Sequence, residues 1–256
     1  MIEVSTEILG PIGVVRFARP PLNYASPELL SAIADALDAL DADATVRCGV
    51  LAAEGKAFCA GADLAGDAAM AAGDGMATIG RLYLQAERLF RRRKPLVAAI
   101  HGAAIGAGLG LALTADFRVA GPRARFSSNF ARLGFHPGFA LTYTLPRLVG
   151  ERMASWMHMS AVRMKPEEAL ACGLADRLAD EGQELAAAMD MARTLAENAP
   201  LSLVAIRQTL NRDFAENVAA AMRREHAAQT KLMPTADYAE GVASVFERRD
   251  AQFLGR

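Results

Sequence analysis

The period of the hydrophobic residues changes along the chain, and these changes predict its organisation. Apolar and polar residues alternate over 2–9 and 12–18, which predicts a β-hairpin. Short apolar runs at 48–53 and 95–100 predict buried strands, each followed by a turn of small residues. From residue 184 onward nearly every segment has helical period. The pattern therefore predicts strand–turn–helix units followed by a helical tail.

Local signals place the remaining elements. Ser26 followed by Pro27 predicts a helix start, because serine caps a helix and proline suits its first turn. Residues 65–75 are predicted to be a mobile loop, and residues 129–138 to be irregular. Further helices are predicted over 76–93, 140–148, 152–159, 166–172, 184–197, 200–212, 214–230 and about 235–247. Further strands are predicted over 116–120, 124–126 and 174–178.

Composition adds limits to this picture. The chain has 256 residues, of which 52% are hydrophobic and 22% charged, so it can fill a sizeable core. The net charge of −1 gives no general attraction to nucleic acid or to a membrane surface. We therefore expect neither a nucleic-acid nor a membrane partner.

Cysteine usage and the N-terminus suggest a compartment. The three cysteines are scattered and form no CxxC or Cys/His cluster, so neither a disulfide framework nor a metal site is expected. The first residues carry acids early and lack the continuous apolar stretch of a signal peptide. No apolar run reaches the length of a membrane span. A cytoplasmic location is the resulting expectation.

Two turns of small residues carry the candidate chemistry. The turns at 58–64 and 102–110 each follow a predicted buried strand. If those strands pair in parallel, both turns lie at the same edge of the sheet. Two backbone N–H groups aimed at one point would form an oxyanion hole. Either turn alone is better explained as structural, and the pairing is what favours function.

A nucleotide-binding loop is the obvious alternative for the second turn. Residues 106–110 give G-x-G-x-G, which lacks the spacing of the dinucleotide fingerprint, and the acid expected about 20 residues later is missing. The chain also lacks a G-x-x-x-x-G-K-[ST] motif. Nucleotide binding at this turn is therefore disfavoured.

Several motifs together resemble the crotonase family, the enoyl-CoA hydratases and isomerases. They are KAFCAGADL, KPLVAAIHGAAIGAGLGLALTADFRVA, ARLGFHPG, LPRLVG, ALACGLAD and EGVASVFERR, in order over nearly the whole chain. The resemblance implies an α/β fold built as a spiral of ββα units, with an acyl-CoA-binding core over 1–197. It also implies a helical oligomerisation region over 198–256, which forms a homotrimer or a dimer of trimers.

The resemblance also assigns roles to single residues. The two N–H groups that stabilise a thioester enolate fall on Ala62 and Ala107. Other substrate contacts fall on Ala60, Gly61, Asp63, Leu64, Gly106, Gly110, Phe130, Gly138 and Arg248, of which Arg248 would contact a phosphate. Coenzyme A is part of the substrate, so no separate cofactor is expected.

Three positions depart from the family's catalytic pattern. Two glutamates activate and protonate water in its hydratases, and Gly110 and Phe130 stand in their places. Several isomerases and dehalogenases use an aspartate where this chain has Gly138. A positioned acid or base contributes about 10²–10⁴-fold, which puts hydration itself in question. We expect room in the site where the carboxylates would be.

Other polar side chains could supply the missing acid or base. His136 is the foremost candidate because it lies two residues before Gly138, although a structural histidine packed before Pro137 is the alternative. Asp67 and Glu87 belong to segments that cover the site in the family. Structural roles explain the remaining candidates better: a backbone hydrogen bond for His101, and places in turns, core or helices for Asp63, Tyr143, His158 and His226.

The basic run from Arg88 to Lys94 has two interpretations. Cations at a helix end complement the helix dipole, which favours a solvated helix terminus. Contact with the phosphates of coenzyme A is the alternative. Nucleic-acid binding is disfavoured, because no platform of aromatic residues accompanies the run and the net charge is near zero.

Two functional hypotheses follow. The first is a hydratase- or isomerase-type enzyme acting on an acyl-CoA thioester, with hydrolase and decarboxylase variants of that chemistry left open. The second is an acyl-CoA-binding protein that has kept the fold with weak or lost catalysis. Acyl-chain identity and the choice between trimer and hexamer are not fixed by the sequence.

Overall fold

The computed structural model describes residues 1–63 and 75–256. Its strands are β1 (Glu3–Leu9), β2 (Ile12–Ala18), β3 (Cys48–Ala53), β4 (Leu96–Ile100), β5 (Ala103–Ile105), β6 (Phe117–Ala120), β7 (Arg125–Ser127) and β8 (Arg177–Leu178). Its α-helices are α1 (Pro27–Ala42), α2 (Gly75–Arg91), α3 (Ala107–Thr114), α4 (Leu141–Ser160), α5 (Pro166–Ala171), α6 (Glu184–Ala196), α7 (Pro200–Leu210), α8 (Phe214–Leu232) and α9 (Ala236–Glu247). Of the loop predicted at 65–75, all but Gly75 lies outside the described residues.

Six strands form the main sheet in the order β1-β2-β3-β4-β6-β8. The predicted hairpin is confirmed, with β1 antiparallel to β2 and Leu9 opposite Ile12. All later neighbours in this sheet pair in parallel. A second sheet consists of β5 and β7, also parallel. The α/β fold class predicted from the sequence is therefore confirmed, and most of the strands are parallel.

Most helices begin where their local signals place them. The Ser26 hydroxyl accepts a hydrogen bond from the Leu29 N–H at 3.2 Å, and Pro27 occupies the first turn of α1. The two helices predicted over 140–159 are the halves of α4, which are separated by non-helical backbone at Gly150. Serine capping and a positive φ at glycine are local effects, which is why sequence alone finds them.

Three predictions of local structure need correction. Residues predicted to be irregular include a 3-10 helix at Asn129–Leu133. The segment after the break at His101-Gly102 contains β5, because its partner β7 lies far away in sequence and leaves no local signal. The last predicted strand shrinks to the two residues of β8.

The core lies on both faces of the main sheet. One face packs against α1, α2, α3 and α4 in a large apolar cluster that contains Phe17, Leu51 and Phe139. The other face packs against the alanine-rich side of α6, where Ala188 and Ala192 meet Val50 and Val97. Small side chains on α6 let it lie close to the sheet. Because helices cover both faces of the sheet, the strand-to-helix turns lie at the ends of the strands.

The C-terminal helices differ in how far they join this core. Val218 and Met222 of α8 are fully buried against α2 and α4, and α9 lies on the 3-10 helix. In contrast, α7 buries none of its residues in the described chain, and Leu201 and Leu210 are 85% and 72% exposed. None of the described helices is long and apolar enough to cross a membrane.

Candidate active site

The two small-residue turns meet at one edge of the sheet. Strands β3 and β4 are parallel, so the chain leaves both of them at the same edge. Backbone hydrogen bonds join the turns, from Cys59 N–H to the Ala103 carbonyl at 2.9 Å and from Ile105 N–H to the Cys59 carbonyl at 3.0 Å. The parallel pairing that the oxyanion-hole hypothesis requires is therefore present, and backbone hydrogen bonds join the two turns.

Glycines allow the close approach of these turns. A Cβ on Gly108 would lie 1.9 Å from the Cys59 carbonyl oxygen, so only glycine lets the first turn of α3 touch the chain at Cys59. Gly61 and Gly106 adopt φ values of 113° and 54°, a region that disfavours residues with a Cβ. A Cβ on Gly61 would lie 3.5 Å from the Ile105 carbonyl oxygen.

Ala107 is the first residue of α3, directly after the N-cap Gly106. The first N–H groups of a helix have no acceptor within the helix, and the helix dipole makes this end partially positive. Ala107 is 7% exposed, so its amide lies in a largely desolvated setting. Such an amide suits a partially negative oxygen.

Ala62 and Ala107 line the same cavity, which has a volume of about 460 Å³. The walls are mainly apolar and come from both turns, α2, the 3-10 helix, the segment around residue 138 and α9. The apolar lining residues include Ile79, Leu82, Ile105, Phe130, Leu133, Phe135, Phe139, Val242, Val245 and Phe246. A mostly apolar cavity with a few polar groups is the usual form of a small-molecule site.

Most of the site residues named from the sequence come together in this cavity. Its lining includes Ala60, Gly61, Ala62, Asp63, Gly106, Ala107, Phe130 and Gly138. Leu64 lies outside the described residues. Arg248 is exposed and caps the end of α9, two residues after the lining residue Phe246, and does not itself line the cavity.

The expected room at Gly110 is absent. Gly110 does not line the cavity, because the ring of Phe139 occupies the space beside it. A Cβ on Gly110 would lie 2.5 Å from that ring. The expectation of open space is therefore wrong at this position, where an aromatic side chain fills the volume.

The space at Gly138 is also filled, but by polar groups. A Cβ there would lie 1.9 Å from the Tyr83 hydroxyl oxygen and 2.7 Å from Nε2 of Gln229. The Tyr83 hydroxyl donates a hydrogen bond to Oε1 of Gln229 at 2.9 Å. Tyr83 lies on α2 and Gln229 on α8, and both line the cavity. Sequence reasoning missed this pair, since neither residue belongs to a motif and 146 positions separate them.

Burial keeps the Tyr83 hydroxyl of this pair uncharged. Burial raises the pKa of the Tyr83 phenol, and the nearby carboxylate of Glu225 raises it further. Glu225 is fully buried and accepts hydrogen bonds from the N–H groups of Ala140 and Thr142 and from the Thr142 hydroxyl. Its pKa is itself raised by burial. Tyr83 is therefore a neutral phenol at any physiological pH.

The His136 ring lies outside the cavity lining. Its Nδ1 lies 2.7 Å from the Pro137 carbonyl oxygen, and its own carbonyl accepts a hydrogen bond from Gln229 Nε2 at 3.0 Å. The acid–base role predicted for His136 thus stays a prediction, without a cavity contact to support it.

The other candidates from the sequence are engaged elsewhere. Glu87 lies 3.9 Å from Arg91 in an ion pair, and the Tyr143 ring packs on Phe214. His101 lies 2.9 Å from the Gly55 carbonyl oxygen, which confirms its predicted backbone hydrogen bond. Asp67 lies outside the described residues. His158 and His226 do not line the cavity.

The cavity lining contains one carboxylate among the described residues, that of Asp63. Asp63 forms a 2.9 Å ion pair with Arg19, which also donates to the Tyr24 carbonyl. This pair holds the chain immediately after Ala62. Cationic side chains on the lining come from Lys56 and Arg163.

The basic run is less solvated than expected. Arg88 pairs with Asp35 and Asp38 of α1. Arg92 is 5% exposed and pairs with Asp116 at 2.6 Å. None of these arginines is on the cavity lining. In the part of the chain that the structure describes, no group of His, Cys, Asp and Glu side chains could hold a metal ion.

Comparison with known proteins places this geometry in a family. The sequence profile of the enoyl-CoA hydratase/isomerase family matches residues 7–256. A probable enoyl-CoA hydratase of Bacillus subtilis (strain 168) is 31% identical over 257 residues, covering 100% of both chains. This chain belongs to the enoyl-CoA hydratase/isomerase family.

Members of this family resemble the chain in both sequence and fold, and their named reactions differ. The 1,2-epoxyphenylacetyl-CoA isomerase of Escherichia coli (strain K12) is 31% identical over 239 residues, covering 92% of this chain and 91% of its own. The crystal structure of an enoyl-CoA hydratase/isomerase from Pseudoalteromonas atlantica T6c superimposes with a TM-score of 0.84 at 28% identity. It covers 98% of this chain and 99% of its own. The fold is therefore that of the crotonases, and the family acts on acyl-CoA substrates.

Proposed function

We propose that this chain binds an acyl-CoA thioester in the cavity and stabilises the enolate of that thioester with the backbone N–H groups of Ala62 and Ala107. The observation that supports this most is that both residues line one cavity, at the point where Gly108 brings α3 against Cys59. Preorganised amides in a desolvated site stabilise developing negative charge more strongly than water does. Membership of an acyl-CoA family supplies the substrate class.

Within this family, a reaction other than two-carboxylate hydration fits the described lining best. Gly110 and Gly138 carry no side chain, and Phe139 and Tyr83 fill the space beside them. The carboxylate of Asp63 is paired with Arg19. Isomerisation, hydrolysis and decarboxylation each pass through charge on the thioester oxygen and do not need two glutamates.

A second function, acyl-CoA binding with weak or lost catalysis, has its own support. Phe139 and Tyr83 fill the space beside Gly110 and Gly138, two of the three positions where the resemblance places a carboxylate, and would block water activation there while leaving the apolar cavity intact. Binding of butyryl-CoA without turnover of any thioester in a broad panel would favour this function. Turnover of an enoyl-, β-carboxyl- or β-oxygenated thioester at enzymatic rates would favour the first.

The decisive variants are Ala107→Pro and Ala107→Gly. Proline is tolerated at the first position of a helix, where it removes only an N–H that has no helical acceptor. Glycine keeps the N–H and removes only the methyl group. We expect kcat/KM to fall about 10²–10³-fold in Ala107→Pro and to change little in Ala107→Gly. Equal activity in the two variants would contradict the proposal.

We also propose that residues 198–256 mediate self-association, as a trimer or a dimer of trimers. The supporting observation is the exposed apolar side of α7, with Leu201 and Leu210 largely in solvent. Light scattering of the purified chain and of Leu201→Glu tests this. A monomeric wild-type chain would contradict it, whereas dissociation in the variant alone would support it.

A further inference from the structure

The Tyr83–Gln229 pair stands where the resemblance places a catalytic aspartate. The Cα–Cβ direction of Gly138 points at the Tyr83 oxygen, 1.9 Å from where a Cβ would lie. Tyr83 and Gln229 come from two different helices, and packing of α8 on α2 brings them together. The chain has thus replaced an anionic group with a neutral, hydrogen-bonded pair at the same place in the cavity.

Neighbouring groups fix the orientation of this pair. Gln229 Nε2 donates to the His136 carbonyl at 3.0 Å, and since a carbonyl can only accept, the amide nitrogen must lie on that side. Oε1 therefore faces Tyr83 and accepts from its hydroxyl. Both side chains are held in one arrangement.

One amide hydrogen of Gln229 is left over. An amide nitrogen carries two donors, and within the described part of the chain only the His136 carbonyl accepts from Nε2. Gln229 is 2% exposed yet contributes to the cavity lining, beside the space at Gly138. A buried N–H group without an acceptor is unfavourable, so a ligand that supplies an acceptor there is bound more tightly.

We propose that the Tyr83–Gln229 pair binds an uncharged oxygen on the acyl part of the substrate, with Gln229 Nε2 as donor and Tyr83 as its positioning residue. The substrate class is then an acyl-CoA that carries a hydroxyl, carbonyl or epoxide oxygen beyond the thioester. This inference rests on the proposed function, because it places an acyl-CoA in the cavity.

A neutral acceptor fits this place better than a carboxylate does. The surrounding walls include the apolar side chains of Phe130, Phe139 and Leu82, and a charged acyl group would lose hydration against them. An uncharged oxygen needs only the one donor that the pair offers.

The test compares matched ligands by calorimetry. The affinity of the protein is measured for butyryl-CoA and for each of its 3-oxo, 3-hydroxy and 4-hydroxy derivatives. Chromatography after each run shows whether the ligand has remained intact. We expect the wild-type chain to bind at least one oxygenated ligand roughly five- to tenfold more tightly than butyryl-CoA, as a single neutral hydrogen bond provides. Tyr83→Phe and Gln229→Met should both remove this preference while leaving the affinity for butyryl-CoA within about threefold.

Tyr143→Phe is the matched control, since Tyr143 packs on Phe214 outside the cavity lining. It should leave both affinities unchanged. A merely structural role for the pair would weaken every ligand equally, and the preference would survive in the variants. A preference that survives in the variants, or a wild-type chain without any preference, would overturn this inference but not the proposed function. Failure of wild-type protein to bind butyryl-CoA would instead overturn the proposed function on which it rests.

Discussion

The ring of Phe139 fills the space beside Gly110, where a Cβ would lie 2.5 Å from the ring. Phe139 is 1% exposed, packs near Phe90 with ring centroids 6.2 Å apart, and belongs to the main core. It follows directly after the Gly138 backbone that meets Tyr83. The space beside Gly110 is therefore closed by the residue that follows Gly138, whereas the space beside Gly138 is closed by Tyr83 and Gln229 from two helices.

Enlarging residue 110 should destabilise the fold. In Gly110→Ala the new methyl group must displace a buried ring, and overpacking of this kind costs about 1–3 kcal/mol. Urea unfolding measures the loss. The matched control is Gly80→Ala in α2, where a Cβ would meet nothing closer than 3.7 Å. That variant should be neutral or more stable by up to about 1 kcal/mol. Equal stability of Gly110→Ala and Gly80→Ala would contradict this prediction, because the Phe139 ring would then move aside without cost.

The sequence predicted the two turns of this site but not the side chains that fill the space beside Gly110 and Gly138. The turns at 58–64 and 102–110 were found because glycine spacing and buried strands are local signals, and both turns do line one cavity. The groups that fill the carboxylate positions were missed. Next to Phe139, the N–H of Ala140 donates to Glu225, which lies 85 positions away and leaves no local signal. Tyr83 and Gln229 meet only through helix packing.

Two buried thiols should make the fold sensitive to alkaline pH. Burial raises the pKa of Cys48 to about 12 and that of Cys59 to about 11, from an ordinary value of 9.0. Above about pH 9 both thiols ionise in the unfolded chain and stay protonated in the folded one. The free energy of unfolding should then fall by about 1 kcal/mol for each thiol between pH 9 and pH 10, because each unfolded thiol goes from half to mostly ionised.

Urea unfolding between about pH 9 and pH 10, below the ordinary pKa of tyrosine, measures this slope. The double variant Cys48→Ala/Cys59→Ala should show a flatter dependence, because the ionising groups are gone. Cys172→Ala is the control, since Cys172 is only partly buried, and it should keep the wild-type slope. A double variant as steep as wild type would contradict the assignment.

A buried ion network should hold α7 to the core. Asp116 accepts hydrogen bonds from Arg92 at 2.6 Å and from Arg207 of α7 at 2.9 Å. Burial opposes ionisation of Asp116, but the two guanidinium groups outweigh it and lower the pKa of the carboxyl. Asp116→Asn would leave both cations without their anion, and breaking a buried pair costs about 3–5 kcal/mol.

Chemical denaturation of Asp116→Asn measures this loss. Asp190→Asn is the matched control, because the Asp190–Arg193 pair is 57% and 59% exposed and such pairs contribute about 1 kcal/mol or less. The depressed pKa of Asp116 also means that its contribution is present above its unfolded value of 3.8 and is lost as the pH falls through the folded value. Asp116→Asn should therefore weaken the dependence of stability on acid pH. An unchanged acid profile would argue against this network.

The central claim is that main-chain amides at Ala62 and Ala107 polarise a thioester carbonyl, and infrared spectroscopy of bound butyryl-CoA labelled with ¹³C at that carbonyl tests it most directly. Hydrogen bonding from two amides weakens the C=O bond, so the stretching band should move to lower frequency on binding. The shift should be kept in Ala107→Gly and largely lost in Ala107→Pro. A band that stays at its position in water, or an equal shift in both variants, would contradict the account.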